Sequence, residues 1–441
     1  MEKRRRGDII GMAILLPLGN PNQVLMAVLY NIGIQFFSFM AHIFSFFNAK
    51  AKLWINGRKN WEKSLAGKVN QGDRNVWIHC ASLGEFEQGR PVIEAIKDSH
   101  PEFKIILTFF SPSGYEIRKN YPVADCILYL PSDTPRNAAK FIKLVNPEFV
   151  IFVKYEFWHN YISVLDRSNI PLYLISSIFR PEQHFFKWYG KFFRNILRKF
   201  EIIFVQDQRS GDLLTGLGLK NIIVAGDTRF DRVMQLTGSA RDIPQLEEFR
   251  GDEKLFLAGS SWSQDEEIIA KYINQFPGKM KWVFAPHEIH KTNIQRLEKL
   301  FKVKCVRYSE FNSHSADARV LIIDNIGMLS SAYRYAYIAA IGGGFGRGIH
   351  NILEPACWGI PVMFGPRHEK FREAVDLIKE NGAFSFDSLS DFSEILDNWL
   401  SDEPFYLNSA EKASFYIKKN IGATGKILTK IFQEDINTNV S

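Results

Sequence analysis

The 441-residue sequence predicts an α/β protein with two parallel sheets, each covered by helices on both faces. Three observations predict it. Short runs rich in β-branched and aromatic residues recur from residue 75 onward, and most are separated by longer segments of helical character. The alternation breaks at a polar stretch, 237–252, and then restarts. Hydrophobic residues make up 46% of the chain and charged residues 23%, which suits large cores and excludes a disordered chain.

The first series of strand-like runs is NVWIHC (75–80), FKIILTFF (103–110), ADCILYL (124–130), EFVIFVKY (148–155), IPLYLIS (170–176), EIIFVQ (201–206) and NIIVAG (221–226). The second is KLFLAGS (254–260), KWVFAP (281–286), VKCVRYS (303–309), ARVLIIDN (318–325), YAYIAAIG (335–342) and IPVMFG (360–365). Each series reads as one Rossmann-like domain. The two are expected to face each other across a cleft, with ligands at the carboxyl ends of the strands. The expected divisions are a membrane-associated segment (1–50), a first domain (51–235), a second domain (236–430) and a polar tail (431–441).

Ahead of the first domain, KRRR (3–6) precedes an apolar run at 9–19 that resembles a signal-peptide core but has no A-x-A site after it. A second apolar run covers roughly 24–47. Its polar residues, Asn31, Gln35, Ser38, His42 and Ser45, are spaced 4, 3, 4 and 3 apart, the period of a helix. Basic residues lie on both sides, with Lys50, Lys52, Arg58 and Lys59 after it. A single span would leave one basic flank outside, so a helix in the membrane interface or a re-entrant hairpin suits the charges better. The plainer alternative is a core helix whose polar stripe faces solvent.

The net charge of +7 points to an anionic partner: nucleic acid, a membrane surface or a phosphorylated substrate. The segment 180–200 interleaves aromatics with Arg180, Lys187, Lys191, Arg194, Arg198 and Lys199. That pattern suits a nucleic acid, a membrane interface or an amphipathic surface helix, and the apolar N-terminal run favours the membrane. Cys80, Cys126, Cys305 and Cys357 form no CxxC pair, so neither a zinc site nor a disulfide framework is expected, and a reducing compartment fits.

Candidate chemistry sits where strands end. In CASLGEFEQGRP (80–91), Ser82-x-x-Glu85 matches a capping box. Pro91 argues instead for a helix opening at Pro91, which leaves Glu85 in the preceding loop, facing the cleft as a proton acceptor. In FVKYEFWHN (152–160), Lys154 and Glu156 stand two apart on one strand face, as cleft groups or as an ordinary ion pair. In AGDTRFDRV (225–233), Arg229 is placed to hold a leaving phosphate or to pair with Asp227 or Asp231.

The second domain carries more. Ser260 and Ser261 in AGSSW either cap a helix or bind phosphate oxygens. His287 in FAPHEIH stands just past a strand. IGMLSSAY (326–333) opens a helix. IGGGFGRGIHNILEP (341–355) has Gly342, Gly343, Gly344, Gly346 and Gly348 before a helix expected to start near Asn351, with Glu354 one turn in. The spacing fits neither a dinucleotide fingerprint nor a P-loop, yet exposed amides before a helix suit a phosphate, and Glu354 suits a ribose. No metal site is expected, because Asp133 has no carboxylate neighbour at ligand spacing.

These stretches together resemble the 3-deoxy-D-manno-octulosonic acid (Kdo) transferases of lipopolysaccharide assembly. The resemblance runs from about Leu29 to Lys430 and is carried by KLWINGRKNW, HCASLGEFEQGRPVIEAI, LPSDTPRNAAKFI, YEFWHN, GDTRFD, GSSW, APHEIH, GFGRGIHNILEP and GIPVMFGP. It implies a GT-B fold with an N-terminal membrane-associated helix, CMP-Kdo as donor, a lipid A precursor at the inner membrane surface as acceptor, and no metal or other cofactor. It implies Glu85 as general base and Arg229 at the leaving phosphate. It also implies CMP contacts from Pro286 and His287, from Gly327, Met328 and Leu329, and from Asn351, Ile352, Leu353 and Glu354. The chain departs from the family pattern in four places, one of them G-G-H-N, which reads Gly348-Ile349-His350-Asn351. The acid-x-acid-x-W-P-N run has Lys154 for its first acid and His159 for its proline. P-R-H reads Ala285-Pro286-His287, without the arginine. G-E-[LM] reads Gly327-Met328-Leu329. The rival readings are another GT-B transferase using a UDP- or GDP-sugar, and a membrane-surface homologue without catalysis.

Overall fold

The computed structural model describes residues 21–438 apart from 71 and 316, so KRRR and the first apolar run lie outside the described residues. The chain forms two compact units. One comprises the residues up to Thr228 together with those from Ala423 onward, and the other is Arg229–Gly422.

The first unit holds β1 (Arg74–Cys80), β2 (Phe103–Phe109), β3 (Cys126–Tyr129), β4 (Pro147–Val153), β5 (Leu172–Ser177), β6 (Ile202–Val205) and β7 (Ile222–Val224). They pair in the order β3-β2-β1-β4-β5-β6-β7, all parallel. β1, β2, β4 and β5 are buried along nearly their whole length, as expected for a sheet covered on both faces. Neighbours in this order switch direction between β1 and β4, so a crevice is expected outside the carboxyl ends of those two strands. Local signals are consistent with the sheet. The helix Pro135–Val145 opens on Thr134, whose hydroxyl accepts from Asn137 N at 3.2 Å, and closes on left-handed Asn146. It buries Ala138, Phe141, Ile142 and Val145, the i, i+3, i+4, i+7 face.

The second unit holds β8 (Leu255–Ser261), β9 (Lys281–Pro286), β10 (Cys305–Arg307), β11 (Val320–Ile322), β12 (Ile338–Ile341), β13 (Val362–Phe364) and β14 (Ala383–Ser385). Their order is β10-β11-β9-β8-β12-β13-β14, again all parallel, with the switch between β8 and β12.

Three expectations about organisation are corrected. The stretch 237–252 is not a linker: the helix Pro244–Arg250 buries Leu246 and Phe249 in the second unit's core. The units part at Thr228/Arg229 rather than near 235. The C-terminal residues are not a polar tail, because the helix Ala423–Thr438 returns to the first unit and buries Ile427 and Ile431 beside β1, β2 and β4.

The apolar run near the N-terminus is the helix Pro21–Phe44, here α1. Its length and composition suffice to cross a membrane. One face docks on the first unit. Tyr30 donates to Asp133 Oδ2 at 2.6 Å, Asn160 Nδ2 donates to Asn31 Oδ1 at 2.8 Å, and Phe37 meets Trp54 edge-on at 5.5 Å. Asn31 and Ser38 therefore face protein, which excludes a core helix with its polar stripe in solvent. The outward residues Leu25, Leu29, Ile32, Phe36, Phe39 and Ile43 are exposed and apolar.

Candidate active site

At the first switch point, β1 runs directly into the helix Leu83–Ser99. The expected helix start at Pro91 is wrong. Pro91 lies inside the helix, and Ser82, with extended backbone, is the N-cap. Glu85 is therefore not a loop residue but stands in the helix's first turn, half-buried, with the Ser82 hydroxyl on its Oε2. A first-turn carboxylate sits where the helix dipole favours negative charge. The proline is tolerated because it is buried on the core-facing side with Val92, Ile93 and Ile96, where packing outweighs one missing backbone bond.

β4 ends at Val153, and Lys154 turns the chain with φ of 72°, a conformation that costs a lysine roughly 1–3 kcal/mol. Strand alternation therefore stops there, and the expectation that Lys154 and Glu156 share a strand face fails. Glu156 is buried and joins a network that the sequence did not announce. Trp77 Nε1 donates to Thr108 Oγ1 at 2.8 Å, and that hydroxyl lies 2.8 Å from His79 Nδ1. His79 Nε2 lies 2.9 Å from Glu156 Oε2, which also accepts from Trp158 Nε1 at 2.6 Å. The Thr108 hydroxyl proton has Nδ1 or Ile78 O as acceptor and Nδ1 also lies 3.2 Å from Thr108 O, while Nε2 faces a carboxylate that only accepts, so His79 carries a proton on Nε2. The only hint in the sequence is a histidine inside the otherwise apolar WIHC.

The charges of Glu85 and Glu156 both act on the Cys80 thiol. Burial, then the charges of Glu85 and Glu156, push Cys80 well above its usual value. The far side of the network is aromatic: Phe110, just past β2, stacks near Trp158 at 4.9 Å and near Phe37 of α1 at 6.2 Å. Asp133, unremarkable in the sequence, is buried and accepts Asn160 N and Tyr161 N, so it caps the helix His159–Arg167. The family's proline position is His159 here, and its extra N–H points to Tyr30 Oη at 3.4 Å.

At the second switch point, β8 and β9 shift register between Gly259 and Ser261, and Ser260 takes φ of 50°. Neither serine caps a helix. Trp262 is the N-cap of Ser263–Gln275, and Ser261 donates to Glu266 Oε1 at 2.8 Å. Trp262, His287 and His350 form a stack: Trp262 to His287 is 4.6 Å, His287 to His350 is 4.5 Å, and Trp262 Nε1 donates to His350 Nε2 at 2.9 Å. Pro286 ends β9, and His287 is held by its N–H on Ser261 O at 3.0 Å.

The glycine loop serves packing first. A Cβ on Gly342 would lie 2.3 Å from Ser260 O, and one on Gly344 would lie 2.6 Å from Gly365. The helix expected near Asn351 is a five-residue turn, Leu353–Cys357. Ile352 and Leu353 are core residues, so only their backbone can meet a ligand, while Asn351 Nδ2 donates to Glu354 Oε1 at 3.0 Å. Gly327 and Met328 precede the short helix Leu329–Ala332. Leu329 packs over the end of β8, 3.2 Å from where a Gly259 Cβ would stand. Arg229 pairs with Glu373 Oε1 at 2.9 Å, and its side chain is one-third exposed. Among the described residues no group of three or more His, Cys, Asp or Glu could hold a metal ion.

Residues 58–232 match the family described as 3-deoxy-D-manno-octulosonic-acid transferase (kdotransferase). The 3-deoxy-D-manno-octulosonic acid transferase of Aquifex aeolicus is 29% identical over 314 residues, covering 70% of this chain and 80% of the relative. These matches support a Kdo transferase. A second Kdo transferase, from Haemophilus influenzae, is 26% identical over 339 residues, 73% of this chain and 78% of the relative. Among solved structures, the UDP-GlcNAc 2-epimerase of Neisseria meningitidis aligns with a TM-score of 0.60 at 15% identity, covering 81% of this chain and all of that one. MurG of Acinetobacter baumannii aligns at 0.51 and 12%, covering 82% and 99%. These two likenesses speak to the fold, which is GT-B-like.

In the second unit, two titrations at the second switch point oppose each other. Burial raises Asp265 to about 6, against the two backbone N–H groups, of Gly343 and Trp262, that it accepts at 3.0 Å. Burial, with His287 beside it, lowers His350 to about 4. An acid raised on folding contributes stability that is complete at low pH and is lost as pH rises toward 6. A histidine lowered on folding contributes stability that is lost as pH falls from about 6.5 toward 4. The two slopes cancel across that window. Asp265→Asn is expected to expose a stability of the second unit that climbs from pH 4 to 6.5, and His350→Phe one that falls. Thermal unfolding across this range checks it; slopes of the same sign in both variants would refute it.

Proposed function

We propose that this enzyme moves Kdo from CMP-Kdo to a lipid A precursor, the tetraacyldisaccharide bisphosphate, with inversion, at the cytoplasmic face of the inner membrane in lipopolysaccharide core biosynthesis. The observation that carries the reading is Glu85, a half-buried carboxylate in the first turn after β1, inside the segment matched to the family. Its ionised oxygen takes the proton of an acceptor sugar hydroxyl. That oxygen's electron pair forms the bond to the anomeric carbon, and the bond from that carbon to the CMP phosphate oxygen breaks, its electrons leaving with CMP. Glu156, fixed by His79 and Trp158, keeps a second negative charge near an oxocarbenium-like carbon.

The second unit is assigned the nucleotide. Ser260, Ser261, Pro286 and His287 line the ends of β8 and β9, and the backbone of Gly327–Leu329 and Asn351–Glu354 supplies further contacts. His287, stacked against Trp262 and His350, matches the family's histidine, and Pro286 stands where the family has arginine. Arg229 reaches the leaving phosphate by exchanging Glu373 for it. Lys154 brings a cation where the family has an acid. No metal, other cofactor or nucleic acid is assigned a part.

The test is mass spectrometry of product made from CMP-Kdo and the tetraacylated bisphosphate, with CMP and UDP as competitors. Added Kdo mass and inhibition by CMP alone support the assignment. Inhibition by UDP, with no Kdo product, would replace it with a UDP-sugar transferase.

A further inference from the structure

Trp262 and His350 lie nearly in one plane, 6° apart with centroids at 6.3 Å, and the bond from Trp262 Nε1 to His350 Nε2 joins them edge to edge. His287 stacks against both, at 21° to the indole and 25° to the imidazole. The backbone around these rings is tied down. Asp265 Oδ2 accepts the N–H groups of Trp262 and Gly343, and His350 N donates to Gly342 O at 3.2 Å. A Cβ on Gly343 would stand 3.1 Å from His350 Cδ2, so glycine, here with φ of 93°, lets the imidazole sit this close.

The edge-to-edge bond decides where His350 keeps its proton. An indole nitrogen gives a hydrogen and accepts none, so His350 Nε2 is the bare nitrogen of the ring. A neutral imidazole with a bare Nε2 carries its hydrogen on Nδ1. A second proton on the ring would set two N–H groups head to head. That agrees with the fall of His350 to about 4 through burial and the neighbouring His287. The ring is therefore neutral at neutral pH and held in one tautomer. Its Nδ1 has no partner among the described residues and is not sealed off from solvent. It stands directly before the Asn351–Glu354 turn, past the end of β12. An N–H donor suits an anionic oxygen, and one whose hydrogen is already placed binds without first having to choose a tautomer.

We propose that Trp262 is a positioning residue of the donor site. Its indole N–H holds His350 as the Nδ1–H tautomer, and that N–H donates to an anionic oxygen of the sugar nucleotide, on its phosphate or on the sugar's carboxylate. Trp262 acts through His350. Without the indole both tautomers are open to the ring, and the one with its hydrogen on Nε2 turns a lone pair toward the anion. A phenyl ring at this position keeps the stack with His287 but not the lock. The anion contact rests on the donor reading proposed above, whereas the tautomer is a property of the protein without ligand.

The test uses the full chain with isotopically labelled histidine. The ring-nitrogen NMR signals of His350 are identified by their loss in His350→Asn. They are expected to show a protonated Nδ1 and a bare Nε2 in the wild type, and averaged shifts in Trp262→Phe. Cytidine, CMP and CMP-Kdo are then titrated against both proteins. Trp262→Phe is expected to leave cytidine affinity unchanged and to weaken the anionic ligand about tenfold, the worth of one hydrogen bond to a charged group. A loss that first appears with CMP assigns the phosphate, and one that first appears with CMP-Kdo assigns the carboxylate. His350→Asn keeps an amide N–H near the place of Nδ1–H, so in that background Trp262→Phe is expected to change nothing further. Equal losses for all three ligands, no loss for any, or a wild-type His350 protonated on Nε2 would overturn the proposal. A wild-type protein that binds none of the three overturns the donor reading and the anion contact with it, while the ring signals still decide the tautomer.

Discussion

Glu85→Gln is expected to lower Kdo transfer by about 10²–10⁴-fold, the usual contribution of a general base, while CMP binding stays at its wild-type level. The substitution is chosen for what it keeps. Gln has the length of Glu, and its amide oxygen can still accept from the Ser82 hydroxyl, so the first turn of Leu83–Ser99 is retained. It loses only the capacity to accept a proton. CMP affinity reads the donor site proposed in the second unit, so the two measurements separate a lost base from a damaged fold. A variant that turns over at the wild-type rate removes Glu85 from the chemistry. The other acid nearby, Glu156, is committed to two donors through Oε2 and is the poorer candidate for proton acceptor.

His79→Ala is expected to destabilise the first unit by about 3 kcal/mol, through a cavity and through a carboxylate that loses its partner. For a unit of this size that is a fall of about 6–12 °C in Tm. Transfer is expected to fall with it, because Glu156 and Trp158 lose their shared anchor. His79→Gln separates the two effects. Its amide N–H can replace the Nε2 proton toward Glu156, so it is expected to recover most of the activity lost by the alanine variant. Thermal unfolding and transfer assays on both variants check this. Equal activity in Ala and Gln variants would show that the hydrogen bond to Glu156 does not matter to the reaction.

The sheets were legible because their strands are buried on both faces and so read as unbroken apolar runs. β14, Ala383–Ser385, was missed because three residues flanked by Gly382 and Phe386 carry no period to detect. Pro91 misled because proline usually opens helices, and nothing local says that this one is buried against β1 and β4. The failure moved Glu85 from a loop into a first turn without removing it from the switch point. Residues next to strand ends were found by position alone: Glu85, Glu156, Ser260 and His287. The groups that hold them were not. His79 lies in β1, Thr108 in β2 and Trp158 just past β4, and Trp262 meets His350 over a separation of 88 residues. Pairings of that kind are set by strand order, which periodicity does not encode.

The helix Ala423–Thr438 gives the chain an order of assembly. Phe432 stacks on His100 at 3.9 Å and meets Phe149 edge-on at 5.9 Å, and Ile427 and Ile431 are fully buried beside them. These residues are synthesised after Arg229–Gly422. The earlier-made lobe must therefore wait, with an apolar seam open, until the whole of Arg229–Gly422 has been synthesised. That nascent interval is when the polypeptide is most open to chaperones and to aggregation.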